Sequence, residues 1–274
     1  MIIPLENKPA LILKICSKSY LVIADLHIGF EEEFKRRGVI LPVQTDRLLS
    51  ELVSIIIENQ PDELIILGDM KHQVPGISKT ELLEIPRFLK ELSSLIQITI
   101  IPGNHDGGLR ELVVGIPHIR IANSRGILLN DEDPKIGLMH GHTWPAPQLL
   151  GAEIIILGHT HPVIELRDGL GYRYLEPVWV KIPLDRELLA EIFPSNINSE
   201  EINLRSVIVI PAFNKLLSGN SINKPDTDRP FLGPLLESEA ALVDESEIFL
   251  LDGTYLGKLK ILKELTLEET QNNA

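Results

Sequence analysis

Three short apolar segments that alternate with two amphipathic segments are the feature that most constrains the fold of this chain. The apolar segments are YLVIADLH, ELIILGDMKH and QITIIPGNHD, and each of them ends in polar residues. Short runs of Ile, Leu and Val that stop at Gly or Asp are typical of strands buried on both faces. The intervening segments, VQTDRLLSELVSIIIENQP and ISKTELLEIPRFLKELSSL, carry apolar residues at helical spacing. This order predicts a parallel sheet covered by helices, with Pro86 kinking or splitting the second helix.

The second half of the chain contains more strand candidates than helix candidates. The strand candidates are HIRIAN, GILLN, KIGLMHGH, AEIIILGHTH, PVIELRDG, YRYLEPVWVKI and SVIVI, with two more at 247–252 and 255–262. One helix is predicted at 185–193, a turn at Asp131–Pro134, and a frayed tail at the final LEETQNNA.

No repeat and no linker divides the sequence, so we expect one domain over 1–274. Its motifs lie within 19–182, and 183–274 is expected to complete the fold. The segment 217–230 is rich in Gly, Asn, Asp and Pro, which predicts a long surface loop.

Composition excludes some classes of protein. A formal net charge of −13 argues against a broad basic surface that binds nucleic acid, although bound divalent ions would add positive charge. The N-terminal residues lack the pattern of a signal peptide, and no apolar run approaches the length of a membrane span. With one cysteine, Cys16, the chain cannot form an intramolecular disulfide. The expected location is therefore the cytoplasm, without membrane contact.

Five polar clusters directly follow apolar strand candidates. They are Asp25-Leu26-His27, Gly68-Asp69-Met70-Lys71-His72, Gly103-Asn104-His105-Asp106, His140-Gly141-His142 and Gly158-His159-Thr160-His161. Any one of them alone is more often a turn or a strand end than a functional site. Together they contain carboxylates, imidazoles and an amide, which suit borderline divalent transition metals. They contain no thiolate, which argues against a structural zinc site of the cysteine type. These side chains are more numerous than the ligands that one ion can use. We therefore predict two ions that share a carboxylate and lie at the strand ends.

The ordered motifs D-x-H, G-D, G-N-H-D, H and G-H-x-H, from Asp25 to His161, resemble those of the calcineurin-like metallophosphoesterases. The segments GDMKH and PAFN (Pro211 to Asn214) resemble a prokaryotic branch of that superfamily linked with DNA ligase and helicase genes. The resemblance implies an α/β fold, a four-layer α-β-β-α sandwich with two central, mostly parallel or mixed sheets. The site is then expected at strand ends between the sheets.

The resemblance also implies the metal ligands. One ion would be held by Asp25, His27, Asp69 and His161, and the second by Asp69, Asn104, His140 and His159. His105 would be the catalytic residue that contacts the phosphate and protonates or stabilises the leaving oxygen. The nucleophile would be a water or hydroxide between two divalent ions, for which we expect manganese, with iron, nickel or zinc as alternatives.

The two histidines of Gly158-His159-Thr160-His161 are expected to serve different ions. Alternate residues of a strand point to the same side, so both imidazoles would face the site while Thr160 faces elsewhere.

One position departs from the superfamily pattern. Many members carry an aspartate three residues after the bridging one, paired with the Gly-Asn-His histidine, whereas this chain has His72. Either His105 has another orienting partner, for which Asp106 is a candidate, or its protonation is set differently. His72, Asp106 and His142 are candidates for contacts with substrate or with the ligands, and His142 could equally be an exposed loop residue.

The function predicted first is a metal-dependent phosphoesterase, most simply a phosphodiesterase. A DNA nuclease acting in repair, on single-stranded DNA and with repair proteins as partners, is the alternative. It would need a local basic groove, for which Lys35 to Arg37 is the densest cluster, although an exposed helix face explains FEEEFKRR more simply. A non-catalytic scaffold is disfavoured because every ligand position is filled.

Overall fold

The structure is a computed structural model that describes residues 1–129, 135–193, 199–217, 219, 221–224 and 230–272. The predicted turn at Asp131–Pro134 lies outside the described residues. So do residues 218, 220 and 225–229 of the surface loop predicted at 217–230.

In the described residues, strands alternate with helices over 18–121, and strands predominate after residue 121. The strands are β1 (Ile2–Pro4), β2 (Leu11–Ile15), β3 (Lys18–Ile23), β4 (Glu63–Leu67), β5 (Gln97–Ile101), β6 (Ile119–Ile121), β7 (Ile127–Leu128), β8 (Ile136–Leu138), β9 (Ile154–Leu157), β10 (Val163–Arg167), β11 (Arg173–Pro183), β12 (Ser206–Val209), β13 (Glu247–Leu250) and β14 (Tyr255–Lys258). The helices are α1 (Glu31–Arg36), α2 (Thr45–Asn59), α3 (Lys79–Ser93), α4 (Leu109–Leu112), α5 (Arg186–Ile192) and α6 (Leu259–Asn272). Short 3₁₀ helices lie at Pro147–Gly151, Ser199–Glu201 and Val243–Glu245.

The strands form two mixed sheets. The first has the order β1-β2-β3-β4-β5-β6, in which β3 to β6 are parallel and β1 and β2 are antiparallel additions. The second has the order β14-β13-β11-β12-β9-β8-β7, with β10 paired to β11. Its parallel pairs are β8 with β9 and β9 with β12, and its other pairs are antiparallel. The predicted two-sheet α/β architecture is confirmed.

Three apolar clusters separate the layers. The central cluster joins residues of the first sheet, such as Val22 and Ile65, to residues of the second, such as Leu138 and Ile156. A second cluster packs α2 and α3 on the outer face of the first sheet, and a third packs α5 and α6 on the outer face of the second. This arrangement follows from the sequence, because the parallel strands are apolar on both faces and need cover on both sides.

Most strand and helix predictions agree with the structure, but those for the C-terminal end of the chain do not. The strand predicted at 255–262 stops at Lys258, and α6 extends to Asn272 where a frayed tail was predicted. The reason is packing: Leu259 is fully buried and Leu262, three residues later, packs against the same cluster. Helix α3 continues through Pro86 without being split. Strands β1 and β2 were not predicted, because their short apolar stretches are separated by turn residues.

Among the described residues, no helix combines the length and the apolar character needed to cross a lipid bilayer.

We predict that Leu259→Ala lowers the free energy of unfolding by about 2–5 kcal/mol, because it leaves a cavity under α6. Leu265→Ala, on the same helix at a position that is 51% exposed, is the matched control and should change it by less than about 0.5 kcal/mol. Urea denaturation of both variants measures the difference. Equal values would mean that Leu259 does not anchor the helix.

Candidate metal centre

The five polar clusters of the sequence meet where strands of both sheets end. Strands β3, β4 and β5 of the first sheet are followed by the clusters that contain Asp25, Asp69 and His105. Strands β8 and β9 of the second sheet are followed by the clusters that contain His140 and His159. The carboxyl ends of neighbouring parallel strands lie at one edge, so each sheet brings its own clusters together. The central core then places the two edges against each other.

One group of donors consists of Asp25, His27 and His161, whose ligand atoms all lie within 4.8 Å of one another. The Oδ1 atom of Asp25 is 3.3 Å from Nε2 of His161. These are three of the four ligands predicted for the first ion. We call them group one.

A second group consists of Asp69, His140 and His159, again with all ligand atoms within 4.8 Å of one another. Asn104 joins it, since its Oδ1 atom is 3.2 Å from Nε2 of His140. These four residues, which we call group two, are the ligands predicted for the second ion.

The carboxylate of Asp69 connects the two groups. Its Oδ2 atom is 3.3 Å from Nε2 of His140 in group two and 3.4 Å from Nε2 of His27 in group one. Its Oδ1 atom accepts a hydrogen bond of 2.9 Å from the backbone N–H of His105, which leaves Oδ2 directed between the groups. The position is that of a bridging ligand.

The donor set fits divalent cations. Nε2 of His27 and Nε2 of His161 are buried without a hydrogen-bond partner among the described residues. Asp25 and Asp69 are also buried, and two buried carboxylates close together need positive charge nearby. Imidazole nitrogens and carboxylate oxygens are ligands for borderline transition metals. Two such ions would satisfy both the orphaned nitrogens and the carboxylates.

The pKa values of the predicted ligand histidines are shifted in two directions: those of His27 and His159 are lowered, and those of His140 and His161 are raised. Burial lowers the pKa of His27 to about 3 and the pKa of His159 to about 4, so both imidazoles are neutral at pH 7, as ligands must be. Burial also acts to lower the pKa of His140, but the carboxylates of Asp69 and Asp25 outweigh it and raise that pKa to about 9. The centre therefore favours positive charge between the carboxylates.

Left-handed backbone conformations position the ligands. Asp25, His27, Asp69, His159 and His161 have φ values of 59°, 44°, 49°, 73° and 43°. This region costs a residue other than glycine about 1 kcal/mol or more. Strand β9 ends at Leu157, so the strand alternation predicted to direct His159 and His161 is wrong. The two left-handed residues instead send one imidazole to each group, and the intervening Thr160 is buried.

Two glycines allow the buried carboxylates to approach the backbone. A Cβ atom on Gly103 would lie 2.1 Å from Oδ1 of Asp69 and 2.6 Å from its backbone nitrogen. A Cβ atom on Gly158 would lie 2.6 Å from Oδ2 of Asp25. Any side chain at these positions would displace a predicted ligand.

The ring of His105 is oriented by a backbone carbonyl. Its Nδ1 atom is 2.6 Å from the carbonyl oxygen of His72, which can only accept, so Nδ1 carries the hydrogen. Its Nε2 atom is 4.0 Å from Oδ2 of Asp69 and faces the centre. The alternative predicted partner, Asp106, does not hold this ring. Its carboxylate accepts hydrogen bonds from the backbone N–H groups of Met70, Lys71 and Gly103.

The other two candidates also lie at the centre. His142 is not an exposed loop residue: its ring centroid is 5.3 Å from that of His140, and burial lowers its pKa to about 4. The Nδ1 atom of His72 is 3.2 Å from Nδ1 of His27, and its Nε2 atom is 3.0 Å from Oε2 of Glu33. Both therefore belong to the surroundings of the ligands.

Sequence reasoning missed two residues that support the centre. Glu81 is buried and accepts hydrogen bonds from the backbone N–H groups of His72, Gln73 and Ser78. The signal was present as the capping box Ser78-Lys79-Thr80-Glu81 at the start of α3. Asn214, seen in the sequence only as part of PAFN, is buried and donates to the carbonyl of Leu26 at 3.1 Å.

We predict that Gly103→Ala lowers the metal content of the purified protein, because the added methyl group displaces Asp69. Gly107→Ala is the matched control in the same loop, since a Cβ atom there meets nothing within 4 Å. Elemental analysis of both variants measures bound metal, and circular dichroism checks folding. A normal metal content in folded Gly103→Ala would show that Asp69 is not a ligand.

Comparison with known proteins gives one family match and several distant structural likenesses. No curated protein matches the chain. Similar solved structures include nuclease MPE of Pseudomonas putida, with 21% identity, a TM-score of 0.48, and coverage of 92% of this chain and 98% of that chain. They also include Yfce, a phosphoesterase from E. coli, with 17% identity, a TM-score of 0.36, and coverage of 55% of this chain and 74% of that chain. An archaeal phosphodiesterase has 18% identity, a TM-score of 0.32, and coverage of 55% and 78% respectively.

These structural likenesses are too distant to assign a function. The sequence profile of the calcineurin-like phosphoesterases does assign a family. It matches residues 18–172, which is more than half of the chain and includes all five clusters. The chain therefore belongs to the calcineurin-like phosphoesterase family.

Proposed function

We propose that this phosphoesterase is a phosphodiesterase that uses two divalent ions, one at each donor group. The observation that carries the proposal is the single buried carboxylate of Asp69, whose Oδ2 atom is within 3.4 Å of a histidine from each group. One carboxylate oxygen between two sets of ligands is the arrangement of a dinuclear site.

The residues have distinct roles in this proposal. When bound, the two ions would polarise the phosphate ester and supply a water acidic enough to attack it at neutral pH. Asp69 offsets the repulsion between two cations, and Asn104 supplies a neutral oxygen that keeps the site positive for an anionic substrate. His105, with its Nδ1 hydrogen held by the carbonyl of His72, presents Nε2 towards the substrate. In the doubly protonated form of the ring, the Nε2 hydrogen is donated to the leaving oxygen, which it stabilises or protonates.

The charge around the centre supports a diester over a monoester. Lys71, the cationic residue of the cluster that contains Asp69, is buried and directs its ammonium group to the carbonyls of Gln73 and Gly76. It therefore does not face a substrate. A diester carries one negative charge and a monoester carries up to two, so a site to which Lys71 contributes no charge suits the diester. We propose manganese for the ions, with iron, nickel and zinc as alternatives that fit the same donors.

A DNA nuclease is the second candidate, and one observation favours it. The basic residues Lys35 and Arg36 of α1 and Arg37, which follows it, are exposed, and Arg36 bonds Gln73, the neighbour of His72, at 2.6 Å. Basic side chains therefore lie beside the centre, although Arg37 is paired with Glu33. This candidate includes a cytoplasmic location, which suits a chain with one cysteine, and DNA-repair partners.

Two substitutions separate the roles of ligand and catalyst. Asp69→Asn should abolish hydrolysis and lower the content of both metals, because it removes the shared negative charge. His105→Ala should reduce kcat by about 100-fold or more while metal content stays near normal. Steady-state kinetics and elemental analysis measure both effects. Loss of metal from His105→Ala would refute its assignment as a catalytic residue.

Metal removal and a small substrate set test the activity itself. Dialysis against a chelator should abolish hydrolysis of bis-p-nitrophenyl phosphate, and Mn²⁺ should restore it. Hydrolysis of p-nitrophenyl phosphate, the monoester control, should be slower. Cleavage of single-stranded DNA that weakens steeply with salt would favour the nuclease. Full activity of the metal-free protein would refute the proposed function.

A further inference from the structure

We propose that Glu33 is a positioning residue that determines, through His72, which nitrogen of His27 faces the metal centre. The inference rests on the proposed function only in taking His27 as a metal ligand. Glu33 lies on α1, outside the five motif clusters, and its side chain is 42% exposed.

The first contact fixes the hydrogen on His72. Oε2 of Glu33 is 3.0 Å from Nε2 of His72. An ionised carboxylate can only accept a hydrogen bond, so Nε2 of His72 must donate. In a neutral imidazole the other nitrogen then has no hydrogen, and Nδ1 of His72 is an acceptor.

The second contact determines which nitrogen of His27 carries the hydrogen. Nδ1 of His72 is 3.2 Å from Nδ1 of His27, a distance at which one nitrogen must donate to the other. Since Nδ1 of His72 accepts, Nδ1 of His27 donates and carries the hydrogen. The lone pair of His27 is therefore on Nε2.

The third step places that lone pair at the centre. Nε2 of His27 is buried, has no hydrogen-bond partner among the described residues, and is 3.4 Å from Oδ2 of Asp69. A hydrogen on Nε2 would block its use as a ligand. Glu33 thus keeps His27 in the form that can bind an ion, as hydrogen-bonded carboxylates do for metal-ligating histidines.

The acidic residues of α1 have separate tasks, which argues against a general charge effect. Glu31 accepts from the backbone N–H of Gln44 at 2.5 Å, and Glu32 accepts from Thr80. Glu33 alone of the three bonds His72, and it does so through Oε2 while Arg37 contacts Oε1. The backbone carbonyl of the same His72 orients His105, so the residue that Glu33 contacts also contacts the rings of both His27 and His105.

Metal affinity tests the proposal in the full-length protein. Titration calorimetry with Mn²⁺ should show affinity reduced about tenfold in Glu33→Ala, the size of effect that supporting residues of metal ligands have. Glu33→Gln keeps a carbonyl oxygen that can accept from His72, and it should bind within about twofold of wild type. Glu32→Gln, the matched charge control on the same helix, should also bind normally. Equal losses in Glu32→Gln and Glu33→Ala, or none in Glu33→Ala, would overturn the proposal.

A direct readout of the hydrogen positions separates this proposal from the proposed function. Long-range ¹H–¹⁵N spectra of metal-free protein labelled at histidine should show His27 with its hydrogen on Nδ1 in wild type and in Glu33→Gln. Glu33→Ala should show a mixture of the two forms. A hydrogen on Nε2 of wild-type His27, as would follow if His72 were doubly protonated, contradicts the proposal. If wild type binds no divalent ion, the proposed function fails, and these spectra still decide the role of Glu33.

Discussion

The carboxylate of Asp69 is the interaction on which the centre depends. It is buried between histidines that arrive from both sheets, and its other oxygen is held by the backbone of His105. A buried carboxylate in this position is stable only with cationic partners. Three features place this carboxylate: the packing of the two sheets against each other, the glycine at position 103 and the left-handed backbone of Asp69.

Buried carboxylates that point away from the centre accept hydrogen bonds from the backbone of the loops around it. Asp106 collects backbone N–H groups from its own loop and from the loop after β4. Glu81 does the same for the residues that follow His72. These contacts offset the strain of several left-handed residues, because the backbone N–H groups that they bind are satisfied. These contacts support the loops that carry the proposed ligands.

Much of the fold could be predicted because its strands are apolar on both faces and its two long helices are amphipathic. The predictions failed at positions where tertiary packing determines the local structure. Residues 259–262 are apolar enough for a strand, but burial of Leu259 against the second sheet makes them the start of a helix. The direction of His159 and His161 was predicted from strand alternation, yet the strand ends at Leu157 and backbone dihedrals direct them.

The sequence by itself determined the family and the chemistry of the donors, because residue type and motif order are local properties. It could not show which side chains orient those donors. Asp106 and Glu33 are both acidic residues in or near a motif, and the sequence offered Asp106 as one candidate partner of His105. The tertiary structure assigns Asp106 to backbone groups and brings Glu33 to His72, because helix α1 folds back against the loop that follows β4. Contacts between segments so far apart in the chain are set by how the helices pack, and no short pattern of residues encodes them.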